Sequence, residues 1–348
     1  MPDPDLPLYP LKFEPIYKQK VWGGRTLAML GRTLPGADDM KIGESWELAD
    51  LGATSASGGD GGEARSTIAN GPLTGMPLHE AIHVFDDRLM GQLKWNDDGD
   101  FPLLFKYLDA RENLSVQVHP SADYAQTHPG SHIKSEAWYV VDAEPGAVLY
   151  KGLREGVTPP QLREAIASNI VPELLIAVPA RQGDCHYLPS GTCHALGAGL
   201  IVAEVQTPSD TTFRVYDWGR SNREVHINPA LECIHFGPSN TKHYEKRSHI
   251  AGMFTTVTRL VTSEHFRIEK IRMVEGYEQE IPYDQPVVWM VLEGEGTITT
   301  ADGMEPVAFA RGETLLIPAQ MNDACLSLKQ DTVWLEITFP QALAEQIA

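Results

Sequence analysis

The segment that decides the fold runs from Leu114 to Val141 and reads LSVQVHPSADYAQTHPGSHIKSEAWYVV. Short runs of alternating or apolar residues at both of its ends are typical of strands. Successive residues of a strand face opposite sides, so Gln117 and His119 share one face. Glu136 opens the second strand after a loop rich in histidine, serine and glycine. A buried histidine with hydrogen-bond partners explains one of these polar residues, but it does not explain all three.

Short strand-like runs continue through most of the chain. They include PLLFKYLDA at 102–110 and LIVAEVQ at 200–206, and they are bounded by glycine, proline, aspartate and asparagine. Many short strands with frequent turn signals are typical of a sandwich or barrel rather than an α/β fold. Helical spacing occurs at 77–93, at 158–178 and in the closing residues 340–348. We therefore predict an all-β fold, mainly β with helical insertions.

The length of the chain predicts two domains. Its 348 residues exceed one typical domain. A polar, turn-rich stretch at 237–255 separates two series of strands. We therefore predict a first domain over 1–240, which contains both helical insertions, and a second domain over 241–348, which ends in a helix.

A weak internal repeat links the two predicted domains. GDCHYLPSGTCHAL in the first and GETLLIPA in the second share a glycine-led strand that ends at proline. Aligning Pro189 with Pro318 places Asp323 where His194 stands. The two halves therefore look like related β-barrels, and only the first carries a plausible metal site.

Composition and charge exclude several kinds of partner. The formal net charge is −19 and no basic cluster occurs, whereas nucleic acid and anionic lipid need a basic face. No apolar run reaches the length of about 18 residues that a membrane span requires. The first residues lack the order of a signal peptide, and the four cysteines form no CxxC pair. We predict a cytoplasmic protein with reduced thiols, as a monomer or weak homodimer.

His194 completes a candidate set of metal ligands. It lies in PSGTCHALGAG, where glycines allow tight turns around an inward-facing imidazole. With Gln117, His119 and Glu136 it offers two imidazoles, one carboxylate and one amide oxygen. This mixed set suits zinc or another divalent metal and leaves room for water or substrate. Gln117 is the weakest donor of the four, because its amide oxygen is neutral.

These motifs resemble those of the cupin superfamily. PSGTCH is similar to the second cupin motif, and QVH is similar to the first with its leading histidine replaced by glutamine. The Gln-x-His form, with a long insertion before Glu136, resembles the type I mannose-6-phosphate isomerase family. VWGGRTL, IGESWELAD and EVQTPSDTTFRVYDWGR also resemble its short bacterial members, and the resemblance spans most of residues 8–236. It implies two jelly-roll β-barrels, of which the second is degenerate.

The resemblance also implies an activity and a cofactor. Members of that family interconvert mannose 6-phosphate and fructose 6-phosphate by proton transfer through an enediol. One zinc ion would lie in the first barrel, held by Gln117, His119, Glu136 and His194, and the second barrel would be metal-free. The expected partner is a small sugar phosphate.

Basic and acidic residues around this site are the candidates for catalysis. The resemblance places a catalytic arginine at Arg214, where a guanidinium stabilises an oxyanion or clamps phosphate. Lys134 and Lys106 are further substrate-binding candidates, and Lys134 could also assist proton transfer. Two alternatives stay open: an ion pair of Arg214 with Asp217, and surface positions for both lysines. Glu204 is a candidate base, or it orients a metal-bound histidine.

The sequence leaves the general base and the functional class open at this point. Family members often have a histidine directly before the lysine that matches Lys134, but Ile133 stands there. Another metal-dependent cupin enzyme, such as an oxygenase, is one alternative to the isomerase. A non-catalytic cupin that binds a sugar phosphate is the other.

Overall fold

The computed structural model describes residues 3–54, 62–93, 99–238, 249–301 and 303–340. Strands dominate these ranges, which confirms the prediction of a mainly β chain. The strands of the first half are β1 Leu11–Lys12, β2 Ile16–Gly24, β3 Ile42–Leu48, β4 Asp50–Thr54, β5 Gly62–Arg65, β6 Leu104–Ala110, β7 Val116–Val118, β8 Glu136–Ala143, β9 Val148–Leu153, β10 Leu175–Pro179, β11 Cys185–Leu188, β12 His194–Leu196, β13 Leu200–Gln206 and β14 Phe213–Tyr216. Those of the second half are β15 His249–Ala251, β16 Thr255–Thr262, β17 Arg267–Met273, β18 Glu278–Glu280, β19 Val287–Glu293, β20 Glu295–Thr299, β21 Val307–Ala310, β22 Thr314–Ile317, β23 Cys325–Leu328 and β24 Thr332–Thr338. The α-helices are α1 Leu78–Phe85, α2 Asp87–Met90, α3 Ala122–Thr127, α4 Pro159–Ala167 and α5 Ile227–Cys233.

Two antiparallel sheets form most of the first half. One has the strand order β10-β9-β12-β7-β14, and the other has the order β11-β8-β13-β6-β3-β2. They share a buried cluster in which Trp138 and Val202 of the second sheet meet Leu149 and Leu196 of the first. The two sheets therefore pack face to face, and the candidate ligands lie on strands of both.

Strands β8 and β13 are buried on both faces. Their other faces, which include Tyr139 and Ala203, belong to a second cluster that contains Trp289 of the second half. Because both faces are covered, these strands read as nearly continuous apolar runs. Glu136 and Glu204 lie in these strands, so their carboxylates must find partners in the interior.

The second half also consists of two sheets. A seven-stranded sheet has the order β1-β22-β19-β24-β17-β16-β15, and a four-stranded sheet has the order β18-β23-β20-β21. Strand β1 belongs to the seven-stranded sheet, where Leu11 pairs with Leu316. The predicted division between 1–240 and 241–348 falls outside the described residues and stays a prediction. Strand β1 lies in the predicted first domain but pairs with β22 of the predicted second domain. The sequence did not indicate this pairing.

Helices occupy the predicted insertions only in part. The segment 77–93 contains α1 and α2, as expected. The segment 158–178 contains α4 and a 3-10 helix at Val171–Leu174, and the prediction of helix is wrong only for its last residues, 175–178. Pro172 breaks the helical spacing, and β10 then pairs with β9 instead. Of the predicted closing helix at 340–348, residues 341–348 lie outside the described residues. In the described ranges no helix is long and apolar enough to cross a membrane.

Candidate metal centre

Neighbouring strands bring the candidate ligands together. Strand β7 lies between β12 and β14, so Gln117 is the register partner of both His194 and Arg214. His119 follows β7 directly, and Glu136 opens β8 in the facing sheet. The two histidines and the glutamate are at most 1% exposed. Their ligand atoms all lie within 4.8 Å of one another.

The distances between these atoms suit a single metal ion. Glu136 Oε1 lies 3.0 Å from His194 Nε2, and Glu136 Oε2 lies 3.3 Å from His119 Nε2. Ligands about 2.0–2.2 Å from a tetrahedral zinc ion stand about 3.3–3.6 Å apart. His119 Nε2 and both Glu136 oxygens are buried without a hydrogen bond of good geometry in the described structure, although Glu136 Oε2 forms an ion pair with Lys134. Buried polar atoms normally have a partner, and a divalent cation would supply it for all three.

Backbone carbonyls fix the orientation of both imidazoles. His119 Nδ1 lies 3.0 Å from the Thr211 oxygen, and His194 Nδ1 lies 2.8 Å from the Thr192 oxygen. A carbonyl oxygen can only accept, so each Nδ1 carries a proton, and Nε2 is the nitrogen that offers a lone pair in the neutral imidazole. The turn before His194 depends on Gly191, whose φ of +81° favours glycine. Such contacts set the ring orientation and raise the basicity of a ligand.

Lys134 sets the charge of the cluster. Its Nζ lies 3.0 Å from Glu136 Oε2, and the residue is buried, so the surface-facing alternative is wrong for Lys134. Burial, followed by the charge of Lys134, lowers the pKa of His119 to about 3. Burial raises the pKa of Glu136, but Lys134 and the two histidines outweigh it and hold this pKa well below its usual range. Neutral imidazoles beside an ionised carboxylate are the states that metal binding needs.

Gln117 lies within reach of the same point. Its Nε2 is 3.3 Å from His194 Nε2 and faces the lone pair of that imidazole. The oxygen and nitrogen of a side-chain amide have nearly the same shape, so rotation of the amide by about 180° brings the oxygen to this position. The prediction of Gln117 as a fourth ligand therefore has the geometry that it requires, and it stays a prediction.

Lys106 and Glu204 form a buried charge network. Strand β13 lies between β6 and β8, which makes Lys106 and Trp138 the register partners of Glu204. Lys106 Nζ lies 3.2 Å from Glu204 Oε1 and 3.9 Å from Glu44 Oε2, and it donates to Gln206 at 2.8 Å. Trp138 Nε1 donates to Glu204 Oε2 at 2.7 Å. Burial lowers the pKa of Lys106, but Glu204 and Glu44 raise it further. The surface-facing alternative is therefore wrong for Lys106 too.

Arg214 is a buried guanidinium that no carboxylate neutralises in the described part of the chain. Its Nη1 donates to the backbone carbonyl of Glu224 at 2.6 Å, and its Nε is buried without a hydrogen-bond partner. Asp217, the partner considered from the sequence, pairs with Arg220 and Arg223 instead. The ion-pair alternative is therefore wrong, and Arg214 keeps its capacity to bind an anion.

One cavity of about 570 Å³ lies against these charged groups, a size typical of small-molecule sites, and it reaches Gln117 and Lys134 but not His119, Glu136 or His194. Glu44, Arg223 and His226 also line it, and sequence analysis missed all three. Glu44 could have been found, because it alternates with Trp46 in IGESWEL and shares its face. Arg223 and His226 follow β14 in a segment without strand periodicity, so no pattern marked them. The predicted residues that line the cavity are Lys106, Gln117, Lys134, Glu204 and Arg214.

A second cluster of possible ligands has another explanation. One ligand atom each of Asp50, His79 and Asp100 lie within 4.8 Å of one another. Arg65 pairs with both aspartates, and its Nη1 lies 3.0 Å from Asp100 Oδ1. An arginine between two carboxylates offsets their charge, so this cluster is a structural ion-pair group away from the cavity.

Comparison with known proteins identifies the family. A model of the type I phosphomannose isomerase catalytic domain matches residues 10–149. The mannose-6-phosphate isomerase ManA of Bacillus subtilis is 34% identical over 318 residues, which cover 89% of this chain and 93% of that protein. The chain belongs to the type I phosphomannose isomerase family. A mannose-6-phosphate isomerase of Streptococcus mutans is 35% identical, with 88% of this chain and 92% of that protein covered.

Solved structures related to this family share the fold. The crystal structure of the Bacillus subtilis mannose 6-phosphate isomerase matches with a TM-score of 0.79 at 30% identity, over 95% of this chain and 99% of that one. A putative mannosephosphate isomerase from Archaeoglobus fulgidus matches with a TM-score of 0.72 at 20% identity, over 96% and 98%. A mannose 6-phosphate isomerase with bound zinc and yttrium matches with a TM-score of 0.67 at 16% identity, over 95% and 100%. The last two likenesses show the fold alone.

Proposed function

We propose that this chain interconverts mannose 6-phosphate and fructose 6-phosphate, the activity for which its relatives are named. The observation that carries the proposal is one cavity lined by Arg214 and by Gln117 and Lys134, the two residues that contact the buried ligand cluster. Isomerisation of an aldose to a ketose moves a proton between C2 and C1 and develops negative charge on oxygen. The cavity places candidate proton acceptors and positive charge around one small-molecule volume.

We propose one zinc ion per chain, held by His119, Glu136 and His194 with Gln117 as the fourth ligand. The support comes from the two Nδ1-protonated imidazoles, the buried Nε2 of His119 and Oε1 of Glu136 without hydrogen bonds, and the spacing of the ligand atoms. Bound zinc would polarise the substrate carbonyl as a Lewis acid without changing its own redox state. The protein supplies the orientation of the ligands and the burial of the site.

For proton transfer we propose Lys134 and Glu204 as the candidates. Each oxygen of Glu204 has one cationic or N–H neighbour, Lys106 or Trp138, and each keeps a lone pair that can accept a proton. Lys134 lies against Glu136 at the edge of the metal cluster. We retain Lys106 as a substrate-binding candidate, although the carboxylates around it already offset its charge.

We propose that Arg214 binds or stabilises the negative charge of the substrate. A planar guanidinium can form two parallel hydrogen bonds to a phosphate or hold an enediolate oxygen. Its buried Nε without a partner supports this role, because a bound anion would satisfy that donor.

We further propose that the paired sheets of each half form a cupin-type jelly-roll barrel, the second one metal-free, within the domains 1–240 and 241–348. Face-to-face packing of the first two sheets supports the first barrel. All four cysteines are free, which suits a cytoplasmic location. A monomer or weak homodimer stays the expected state.

The test follows fructose 6-phosphate formation from mannose 6-phosphate by the chelated protein, before and after zinc is added. Zinc should restore turnover in the wild type and should fail to do so in His119→Ala. His128→Ala is the matched control, because that side chain is 45% exposed and stacks on Tyr124 away from the cluster. Absence of turnover with any divalent metal would contradict the proposal and favour an oxygenase or a non-catalytic sugar-phosphate binder.

A further inference from the structure

Asp217 is a buried carboxylate that two arginines bind at once. Its side chain is 1% exposed. Arg223 donates to both oxygens, with Nε 2.8 Å from Oδ2. Arg220 donates to Oδ1 through Nη2 at 2.8 Å. A carboxylate in such a bidentate arrangement is held in one orientation, and its negative charge is fully engaged.

These contacts fold the chain after β14 into a fixed loop, residues 217–226. The loop begins with a tight turn in which Trp218 has a left-handed φ of +54°, unusual for a residue with a side chain. Trp218 Nε1 donates to the carbonyl of Leu114, and Arg220 donates to the carbonyl of Asn113 at 2.7 Å. Asp217 therefore ties the loop internally, while the other two contacts tie it to the segment before β7.

The C-terminal end of this loop forms hydrogen bonds with both the side chain and the backbone of Arg214. The carbonyl of Glu224 accepts from Arg214 Nη1 at 2.6 Å. His226 donates its backbone N–H to the Arg214 carbonyl at 2.7 Å, and its Nδ1 accepts from the Arg214 N–H at 3.1 Å. The loop thus fixes both the backbone and the guanidinium of Arg214.

The same arrangement keeps the charge of Arg214 available. Asp217 lies three residues further along the chain and would be an obvious carboxylate partner for it. Because Arg220 and Arg223 occupy Asp217, the described structure leaves the Nε of Arg214 without a partner. An arginine paired with a buried carboxylate would bind an anionic substrate much less well, since the two interactions compete.

We propose that Asp217 is a positioning residue: by holding Arg220 and Arg223 it fixes the 217–226 loop, which aims an uncompensated Arg214 at the negatively charged group of the substrate. This inference rests on the proposed isomerase function. It assigns no contact with substrate to Asp217 itself. Its effect on the reaction passes through the position and the free charge of Arg214.

Asp217→Asn tests the proposal, because it keeps the shape of the side chain and removes the charge. We expect kcat/KM for mannose 6-phosphate to fall at least tenfold, with zinc content unchanged. Asp50→Asn is the matched control, since Asp50 is also fully buried and paired with an arginine, but its partner Arg65 does not line the cavity, whereas Arg223 does. The control should lose thermal stability to a similar degree and keep kcat/KM within about twofold.

A double-mutant cycle separates positioning from a general structural role. If Asp217 acts through Arg214, then Asp217→Asn should lower kcat/KM by less than threefold in an Arg214→Lys background. A full tenfold loss there, or an equal loss in Asp50→Asn, would overturn the proposal. If the wild type shows no turnover, the proposed function has failed. Calorimetric binding of fructose 6-phosphate to the zinc-loaded protein, compared between wild type and Asp217→Asn, then tests the positioning role alone.

Discussion

Replacing Lys134 by methionine should strengthen metal binding while it lowers turnover. Lys134 Nζ lies 3.0 Å from Glu136 Oε2, and both side chains are buried. The amine therefore occupies the carboxylate that a metal ion would use, and its positive charge also opposes the arrival of a cation. Methionine keeps much of the length of lysine and removes the charge.

The size of the effect follows from the burial of this pair. Removing one partner of a buried ion pair costs about 3–5 kcal/mol, because the other charge stays behind uncompensated. In Lys134→Met this loss falls mainly on the metal-free protein, since a bound divalent cation would neutralise Glu136. At about 1.4 kcal/mol for each factor of ten, the full loss would exceed a hundredfold in affinity. Protonation of Glu136 in the variant reduces this free-energy loss, so we expect zinc to bind the variant about 10 to 1,000 times more tightly than the wild type.

Competition with a chromophoric chelator measures the zinc affinity of both proteins. Thermal unfolding of the chelated proteins measures the loss of stability that the substitution causes. The chelated variant should unfold at lower temperature, and zinc should restore most of the difference. Lys106→Met is the matched control, because its amine contacts Glu204 and Gln206 rather than a candidate ligand. It should gain much less affinity. Unchanged or weaker zinc binding in Lys134→Met would refute the reasoning.

Three further outcomes are expected. Gln117→Ala should weaken zinc binding less than His194→Ala, because a neutral amide is the poorer donor. The same chelator competition measures the affinity of both variants, and an equal loss of affinity would contradict the prediction. Burial lowers the pKa of Lys151 from 10.5 to about 8. The unfolded chain therefore holds that proton more tightly than the folded protein, and the free energy of unfolding falls as the pH falls from about 10.5 to 8. Lys151→Met should therefore raise the free energy of unfolding of the chelated protein by about 1–3 kcal/mol at pH 7, and urea titration should find most of this gain gone at pH 10. Burial raises the pKa of the Cys193 thiol to about 12, so at pH 8 iodoacetamide should modify the half-buried Cys185 before Cys193. Peptide mass spectrometry measures the order, and early modification of Cys193 would argue against this prediction.

Local periodicity was enough to predict the strands that carry the ligands. Gln117 and His119 alternate on one strand and Glu136 opens the next, and the structure brings these segments together. The turn at PSGTCH likewise marked His194, because a histidine after a glycine-led turn is a local feature. Structural features that depend on about ten consecutive residues could therefore be predicted from the sequence.

The partners of charged residues were not readable in the same way. Lys106 meets Glu204 because β6 and β13 pair in one particular register, and a shift of one residue would move Lys106 to the other face. Asp217 was the nearest carboxylate to Arg214 in sequence. However, the chain turns at Trp218, which has a left-handed φ, and Asp217 pairs with two other arginines instead. Such choices depend on the fold as a whole.

Strand β1 has a consequence for how the chain is made. Leu11 pairs with Leu316, about 300 residues later. A ribosome that adds about 5–20 residues per second needs roughly 15–60 s to synthesise this partner strand. Until then Leu11, which is fully buried in the finished protein, has no partner in the seven-stranded sheet. Synthesis of the second half therefore decides when strand β1 can pair.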